Sequence, residues 1–372
     1  MSAQPPLAES ILAGRTIDGP MSARVSIDGR EYINFLGSGY LALSNIPEVR
    51  AAVLQVLAAG APFARAISSI AESIDPVFDA VERAAAVACG TEASVYFASG
   101  YLIGAVGLAR LDQSCDVLLL DESAHYNLKD AAKLTGLPAF EFAHCDPESL
   151  RDVLRQRVHA RQRPWVVTDG VFATTGRVPP LADYAGALAS CNGRLFIDES
   201  HGFGVVGTRG RGAAEYCGVE HLAATGATLS KAFCAQGAIV GCSAATARRL
   251  RLIPPVRGAN AGSPLSAAAA TASLKFVADH PQLRVNLRVM TDYLRGRLRS
   301  AGFDVIDSPA PIVAFQLPTR SDMLALQRRL FDRRIHVQYS TYIGAGAKGM
   351  MRCAVFADHS QEDIDTLIDA LG

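Results

Sequence analysis

The sequence predicts an α/β fold, with a mostly parallel sheet covered on both faces and a smaller α+β domain beside it. Three observations carry this. Short continuous apolar runs recur at Ser94–Phe97, Val117–Leu120, Trp165–Asp169 and Leu195–Asp198, with segments of helical spacing between them. Strands buried on both faces read as such unbroken hydrophobic runs. The runs also finish in chemically useful residues: Asp121 before His125, Asp169-Gly170, and Asp198 before His201. Ligands of open α/β sheets collect at the carboxyl ends of strands. Finally, 372 residues exceed one simple core, which favours a large domain plus a smaller one.

Taken in order, residues 1–45 read as a polar arm and hairpin. Val25-Ser26-Ile27 and Tyr32–Phe35 are its strands, and Asp28-Gly29 is the turn. A large domain then spans residues 46–250. Its helices are expected at Pro47–Ala59, at 75–89 (closed by Gly90), from Ala98-Ser99-Gly100-Tyr101 onward, near Leu128–Leu134, at Pro147–Arg161 and at Leu181–Ser190. Ala139–Phe142, Ala227–Leu229 and Ala238–Cys242 add strands. The Arg248–Pro255 stretch reads as a junction, so residues 251–372 form the smaller domain. It opens with the alanine-rich helix Ser266–Val277, followed by strands at Pro311–Leu317, Ile335–Gln338 and Met351–Phe356 and helices at Met323–Phe331 and Gln361–Leu371.

Composition excludes several classes. Zero formal net charge leaves no basic footprint for nucleic acid. No apolar run reaches the length of a membrane span, and Met1–Leu12 lacks the basic start of a signal peptide. The eight cysteines form no C-x-x-C and no cluster with zinc-ligand spacing, so reduced thiols in a cytoplasmic protein without a bound metal are expected. Gly202–Gly207 matches G-x-G-x-x-G, yet Glu199-Ser200-His201 separates it from the strand and a loop follows it. A dinucleotide fingerprint must follow a strand directly and open a helix, so the match is rejected.

The chemistry centres on Thr228-Leu229-Ser230-Lys231-Ala232-Phe233, where one lysine stands among hydroxyls and small residues. A lysine amine in such a setting suits Schiff-base chemistry. Pyridoxal 5'-phosphate needs that lysine, a carboxylate for its ring nitrogen, a donor near its phenolic oxygen, a cover for its ring and donors for its phosphate. Asp198, His201, His125 and the Ser99-Gly100-Tyr101 helix start can serve those four needs in turn, with Thr228 and Ser230 adding hydroxyls beside the lysine. Each residue alone has an ordinary structural reading; their joint occurrence at strand ends does not.

Along nearly the whole chain the sequence resembles the α-oxoamine synthase family of fold-type I pyridoxal-phosphate enzymes. The likeness rests on Asn34-Phe35, Tyr40-Leu41-Ala42-Leu43, Phe97–Tyr101, Asp121–His125, Thr168–Phe172, Asp198–Gly202, Gly207 with Gly210–Gly212, Thr228–Phe233 and Met351-Arg352. It implies Lys231 as the cofactor lysine and Asp198 on the ring nitrogen. It also implies His201 at the phenolic oxygen, His125 stacked on the ring, and Gly100, Tyr101 and Thr228 at the phosphate. Arg352 would dock the substrate carboxylate. The implied reaction condenses an amino acid with an acyl thioester, with decarboxylation to an α-aminoketone, in a homodimer. The alternative is an aminotransferase, racemase or decarboxylase that uses no acyl donor. Departures from the family pattern fall at Ala173–Arg177, Gly37–Gly39, Gly60–Arg65 and Tyr126-Asn127, toward the substrate side.

Overall fold

A computed structural model describes residues 11–65, 75–109, 115–259 and 261–372. Residues 1–10 of the expected arm lie outside them. The chain separates into two compact units. One comprises Ile46–Val171 with Val178–His280; the other comprises the residues up to Asn45, the Phe172–Arg177 segment and Pro281–Gly372.

The second unit begins with β1 (Ile17–Asp18), β2 (Arg24–Ile27) and β3 (Arg30–Asn34), and the β2–β3 turn falls at Asp28-Gly29 as expected. The first unit follows. It contains α1 (Pro47–Ala58), α2 (Pro76–Cys89), β4 (Ala93–Phe97), α3 (Ile103–Leu108), β5 (Val117–Asp121), α4 (Tyr126–Thr135) and β6 (Ala139–Phe142). It continues through α5 (Pro147–Arg157), β7 (Pro164–Asp169), α6 (Leu181–Leu188), β8 (Arg194–Asp198), the short α7 (Ala213–Tyr216), β9 (Ala223–Thr228) and β10 (Ala238–Cys242). The helices α8 (Ala244–Leu250), α9 (Pro254–Arg257) and α10 (Pro264–Asp279) complete it.

Its seven-stranded sheet has the order β4-β10-β9-β8-β7-β5-β6. Neighbouring pairs run parallel from β9 to β6, whereas β10 is antiparallel to both β4 and β9. Strand alternation splits the apolar residues between two cores. Leu118, Leu120, Trp165, Val167 and Phe196 enter one, which α3, α4 and α8 cover. Val117, Leu119, Val166, Leu195 and Ile197 enter the other, beneath α5 and α6. This double burial is why the strands lack a polar face.

The remaining elements belong to the second unit: α11 (Gln282–Ser300), β11 (Ile312–Phe315), α12 (Arg320–Asp332), β12 (Ile335–His336), β13 (Gln338–Ser340), β14 (Met350–Ala354) and α13 (Gln361–Leu371). β12 joins β3 in parallel, with Ile335 opposite Ile33, while β13 pairs with β14 in a separate sheet with β11.

Four expectations change. The boundary lies at His280–Pro281 rather than at Arg248–Pro255, because α10 packs against α1 and α2 of the first unit. Residues up to Asn45 are not a separate arm, since β3 is a partner of β12. Ile335–Gln338 is two strands serving two sheets. The helix expected to reach Arg161 ends at Arg157, where Val158 turns extended and packs on the core beneath α5 and α6.

Candidate active site

Lys231 lies on the turn that joins β9 to β10, and its side chain is half-buried. Because these strands are adjacent and antiparallel, the connection is a short hairpin rather than a crossover helix. Several bonds hold it. Leu229 N–H donates to Gly237 O (2.9 Å), Ala235 N–H to Leu229 O (3.0 Å) and Cys234 N–H to Lys231 O (3.0 Å). The Tyr96 hydroxyl reaches across from β4 to Gln236 O (2.8 Å). The lysine is thereby presented from a backbone tied on both sides.

Thr228 closes β9 and is buried; its Oγ1 lies 2.8 Å from Ser230 Oγ and donates to Gly237 O at 3.1 Å. One strand, β10, separates β9 from β4, so their ends should stand about 10 Å apart. The chain after β4 nevertheless curls back: Ser99 caps a 3-10 turn over Gly100–Leu102, and its Oγ accepts from Tyr101 N–H at 3.3 Å. The approach is so close that a Cβ on Gly100 would stand 2.8 Å from Thr228 Oγ1. Glycine is required there by space. Ser99, Gly100, Thr228 and Ser230 thus gather into one hydroxyl- and amide-rich corner. The Tyr101 phenol turns away, half-exposed, and donates to Asp130 at 2.6 Å.

The second cluster sits at the ends of β5, β7 and β8. Asp169 and Asp198 are cross-strand partners, both buried. Asp169 Oδ2 accepts the His125 N–H at 2.8 Å, and Asp198 Oδ1 accepts the Ser200 N–H at 3.0 Å. Burial, reinforced by the charge of Asp198, holds the Asp169 carboxyl well above the usual carboxylate range. The His125 N–H and the positive charge of Lys231 draw it back. Lys231 and the acid pair therefore share one electrostatic neighbourhood. His201 is buried in the turn after β8.

His125 is the N-cap of α4 and is half-buried. Its Nδ1 lies 2.7 Å from Asn127 Oδ1, while Asn127 Nδ2 donates to Asp198 Oδ2 at 3.0 Å. The Asp198 carboxylate accepts only, so it fixes the amide orientation. The amide oxygen then faces His125 Nδ1, the nitrogen that also accepts the Asn127 N–H at 3.3 Å in the cap of α4. A three-residue relay, Asp198–Asn127–His125, results.

Glu199 follows Asp198 and is buried. Its carboxylate accepts from Ala213 N–H and Ala214 N–H, each at 2.8 Å, and burial pushes its pKa up to about 7. Gly170, Gly202 and Gly212 surround it, and a Cβ on any of them would fall within 2.4 Å of the carboxylate. The G-x-G-x-x-G segment thus meets this acid at its first glycine, Gly202, and no helix opens from it.

Arg352 belongs to the other unit, on β14, and is buried. Its Nε donates to Ala173 O (2.7 Å) and its Nη1 to Gly37 O (3.2 Å), with Nη2 3.5 Å from the Tyr40 hydroxyl. Two segments that depart from the expected motifs, around Gly37 and Ala173, thus meet one guanidinium.

The profile of the aminotransferase class I and II family matches residues 31–371. The chain belongs to that family. Among curated relatives, the 8-amino-7-oxononanoate synthase of Pelobacter propionicus is 31% identical over 360 residues, covering 94% of this chain and 90% of the relative. That of Methylococcus capsulatus is 31% identical over 365 residues, covering 96% and 92%. Among solved structures, the serine palmitoyltransferase of Sphingomonas wittichii superposes with a TM-score of 0.88 at 24% identity, over 96% of this chain and 90% of that one. The 8-amino-7-oxononanoate synthase of Francisella tularensis gives 0.76 at 22% identity, over 91% and 96%. The fold is thus the fold-type I transferase fold expected from the sequence.

Three residues of the site escaped the sequence reading of this class I and II chain. Asn127 stood out only as a departure from the expected motif. Asp169 was visible as an acid at a strand end, without a role. Glu199 was hidden because nothing in a linear motif shows that three glycines will surround it.

Proposed function

We propose that this chain is a pyridoxal-phosphate-dependent acyltransferase that condenses an amino acid with an acyl thioester. A bond forms between the amino-acid Cα and the acyl carbonyl carbon, the thiol leaves, and the amino-acid carboxylate departs as carbon dioxide, giving an α-aminoketone. The observation that carries this reading is the gathering of Lys231, Asp198, His125 and a hydroxyl corner at the strand ends of one unit. Near-full-length similarity to curated 8-amino-7-oxononanoate synthases supports it.

The residues fit the cofactor chemically. A Cβ at Gly100 would fill the corner where Ser99, Thr228 and Ser230 offer donors to a phosphate, and the buried Asp198 carboxylate stands ready for a cationic ring nitrogen. When bound, pyridoxal phosphate supplies a carbonyl for covalent capture of the amine and a ring that takes up electron density from Cα. Lys231 would anchor the group covalently, and its amine would serve as the base for the Cα proton. Asp198 would pair with the ring nitrogen, His125 would cover the ring, and His201 would donate to the phenolic oxygen. Arg352 docks the amino-acid carboxylate with the N–H groups that its carbonyl partners leave over.

We also infer a homodimer. The exposed apolar side chains Leu54 and Leu57 on α1 and Val87 on α2 support that assembly. Among the described residues no helix is long and apolar enough to cross a membrane.

The test is spectral and chemical. Purified protein should bind pyridoxal phosphate with a visible absorbance band that Lys231→Ala abolishes. It should release free thiol when an amino acid is mixed with a panel of acyl-CoA and acyl-carrier thioesters. Wild-type protein that binds no cofactor would refute the assignment. Pyridoxamine formation with amino acids alone, without thiol release from any thioester, would convert the enzyme into an aminotransferase.

A further inference from the structure

Beyond the carboxyl end of β5, on the side of the edge strand β6, stands a group that the proposed reaction does not use. Asp121 is fully buried at the end of β5. His144 and Cys145 follow β6. His144 Nδ1 lies 2.9 Å from Asp121 Oδ1, and His144 Nε2 lies 3.6 Å from Cys145 Sγ. One ligand-type atom of each residue lies within 4.8 Å of the others. Asp121 is itself oriented, since Ser123 N–H donates to Oδ1 (2.8 Å) and Cys145 N–H to Oδ2 (3.0 Å). An acceptor carboxylate on Nδ1 sets the imidazole proton there and leaves the Nε2 lone pair facing the thiol. This is the nucleophile–base–orienter pattern of activated cysteines. The Cys145 backbone sits at φ 55°, a left-handed conformation unusual for a residue with a side chain.

We propose that Cys145 is a nucleophilic modification site that reacts with hydroperoxides, with His144 as its base and Asp121 as the residue orienting that base. In the step, the thiol proton passes to His144 Nε2 and a sulfur–oxygen bond forms as the oxygen–oxygen bond breaks. Sulfur is oxidised to the sulfenic acid; the peroxide is reduced, and its leaving oxygen takes the proton as water or an alcohol. Reactivity follows thiolate character and access, and here the other cysteines differ. Burial pushes Cys89 and Cys353 up to about 12 and Cys115 up to about 11, and it also raises Cys191 and Cys217. Cys242 is buried, and Cys234 has its sulfur 3.5 Å from the Lys231 carbonyl. Cys145 is half-buried and faces an imidazole.

The site also touches the proposed cofactor region through the backbone. Asp121 holds the turn that leads, through Ser123 and Ala124, to His125.

The experiment treats the cofactor-loaded enzyme with hydrogen peroxide in the presence of dimedone and quantifies adducts peptide by peptide. Cys145 should be labelled about tenfold faster than Cys234. His144→Gln should remove most of that advantage, and Cys145→Ser should remove the fast adduct altogether. A second measurement needs no variant: alkylation of Cys145 by iodoacetamide should follow a pH profile with its midpoint below the ~8.5 of a free thiol. The proposal fails if Cys145 labels no faster than Cys234. It fails equally if its profile matches a free thiol, or if labelling becomes fast only after EDTA, which would make the cluster a metal site.

Discussion

Asn127 changes the reading of the cofactor pocket at the scale of single residues. Asp198 and His125 were each assigned a separate role from their positions at strand ends, yet one side-chain amide connects them. A neutral bridge of this kind does two things. It offers the buried Asp198 a donor that carries no charge, so this hydrogen bond brings no counter-ion to the acid. It also tethers His125 through Nδ1, and so sets the orientation of the ring plane. Asn127→Ala should unlock both residues and weaken cofactor binding by about 1–2 kcal/mol, roughly tenfold in Kd. Spectral titration of the apoprotein with pyridoxal phosphate measures this, and an unchanged Kd would show that the relay is idle. Asp169 adds a complementary point. Burial and the neighbouring Asp198 push its pKa up, which is what two carboxyls on adjacent buried strand ends are expected to do to each other.

At the scale of elements, β12 shows what local patterning can and cannot reveal. Ile335 and His336 look like the start of one strand running to Gln338, but they complete a sheet begun three hundred residues earlier, with Ile335 opposite Ile33. No local signal carries that pairing. The strands β5, β7 and β8 were legible because their double burial writes an unbroken apolar run into the sequence. α11 was missed although Leu287, Leu294 and Leu298 keep helical spacing, because its arginines mask the stripe; one of them, Arg295, is buried and donates to Ala310 O and Ile312 O. β12 also carries a titration. His336 is buried against Phe331, with no hydrogen-bond partner for either ring nitrogen, and burial lowers its pKa to about 4. Its folded form is neutral, so its contribution is intact above the unfolded value of 6.5 and is lost as pH falls from there toward 4. The loss at pH 4 amounts to about 3 kcal/mol. Replacing the imidazole by His336→Phe should flatten the decline of Tm between pH 6.5 and 4; a slope equal to wild type would exclude His336 as the sensor.

For the molecule as a whole, function follows chain order less closely than the motifs suggest. Lys231, Asp198, His125 and the phosphate corner share one unit, whereas Arg352, Gly37 and Ala173 share the other, which is assembled from three separate stretches of chain. The first group was legible because its residues stand at the ends of recognisable strands. The meeting of Gly37 and Ala173 at Arg352 was not, because these residues come from the beginning, middle and end of the sequence. The hairpin that bears Lys231 adds a consequence in time rather than in space. The β9–β10 pairing closes only a short loop, so it can form early, whereas β10 meets β4 only after a long intervening segment has been gathered in. The Gly100 turn reaches Thr228 only once that late pairing exists. During refolding, far-UV ellipticity should therefore recover before the capacity to bind pyridoxal phosphate, and stopped-flow traces of the two should separate. Superimposable traces would mean that the sheet closes in one step. If they separate, a newly made chain presents its reactive lysine before it has built the corner that holds the phosphate, and the cofactor becomes a ligand that selects only finished sheets.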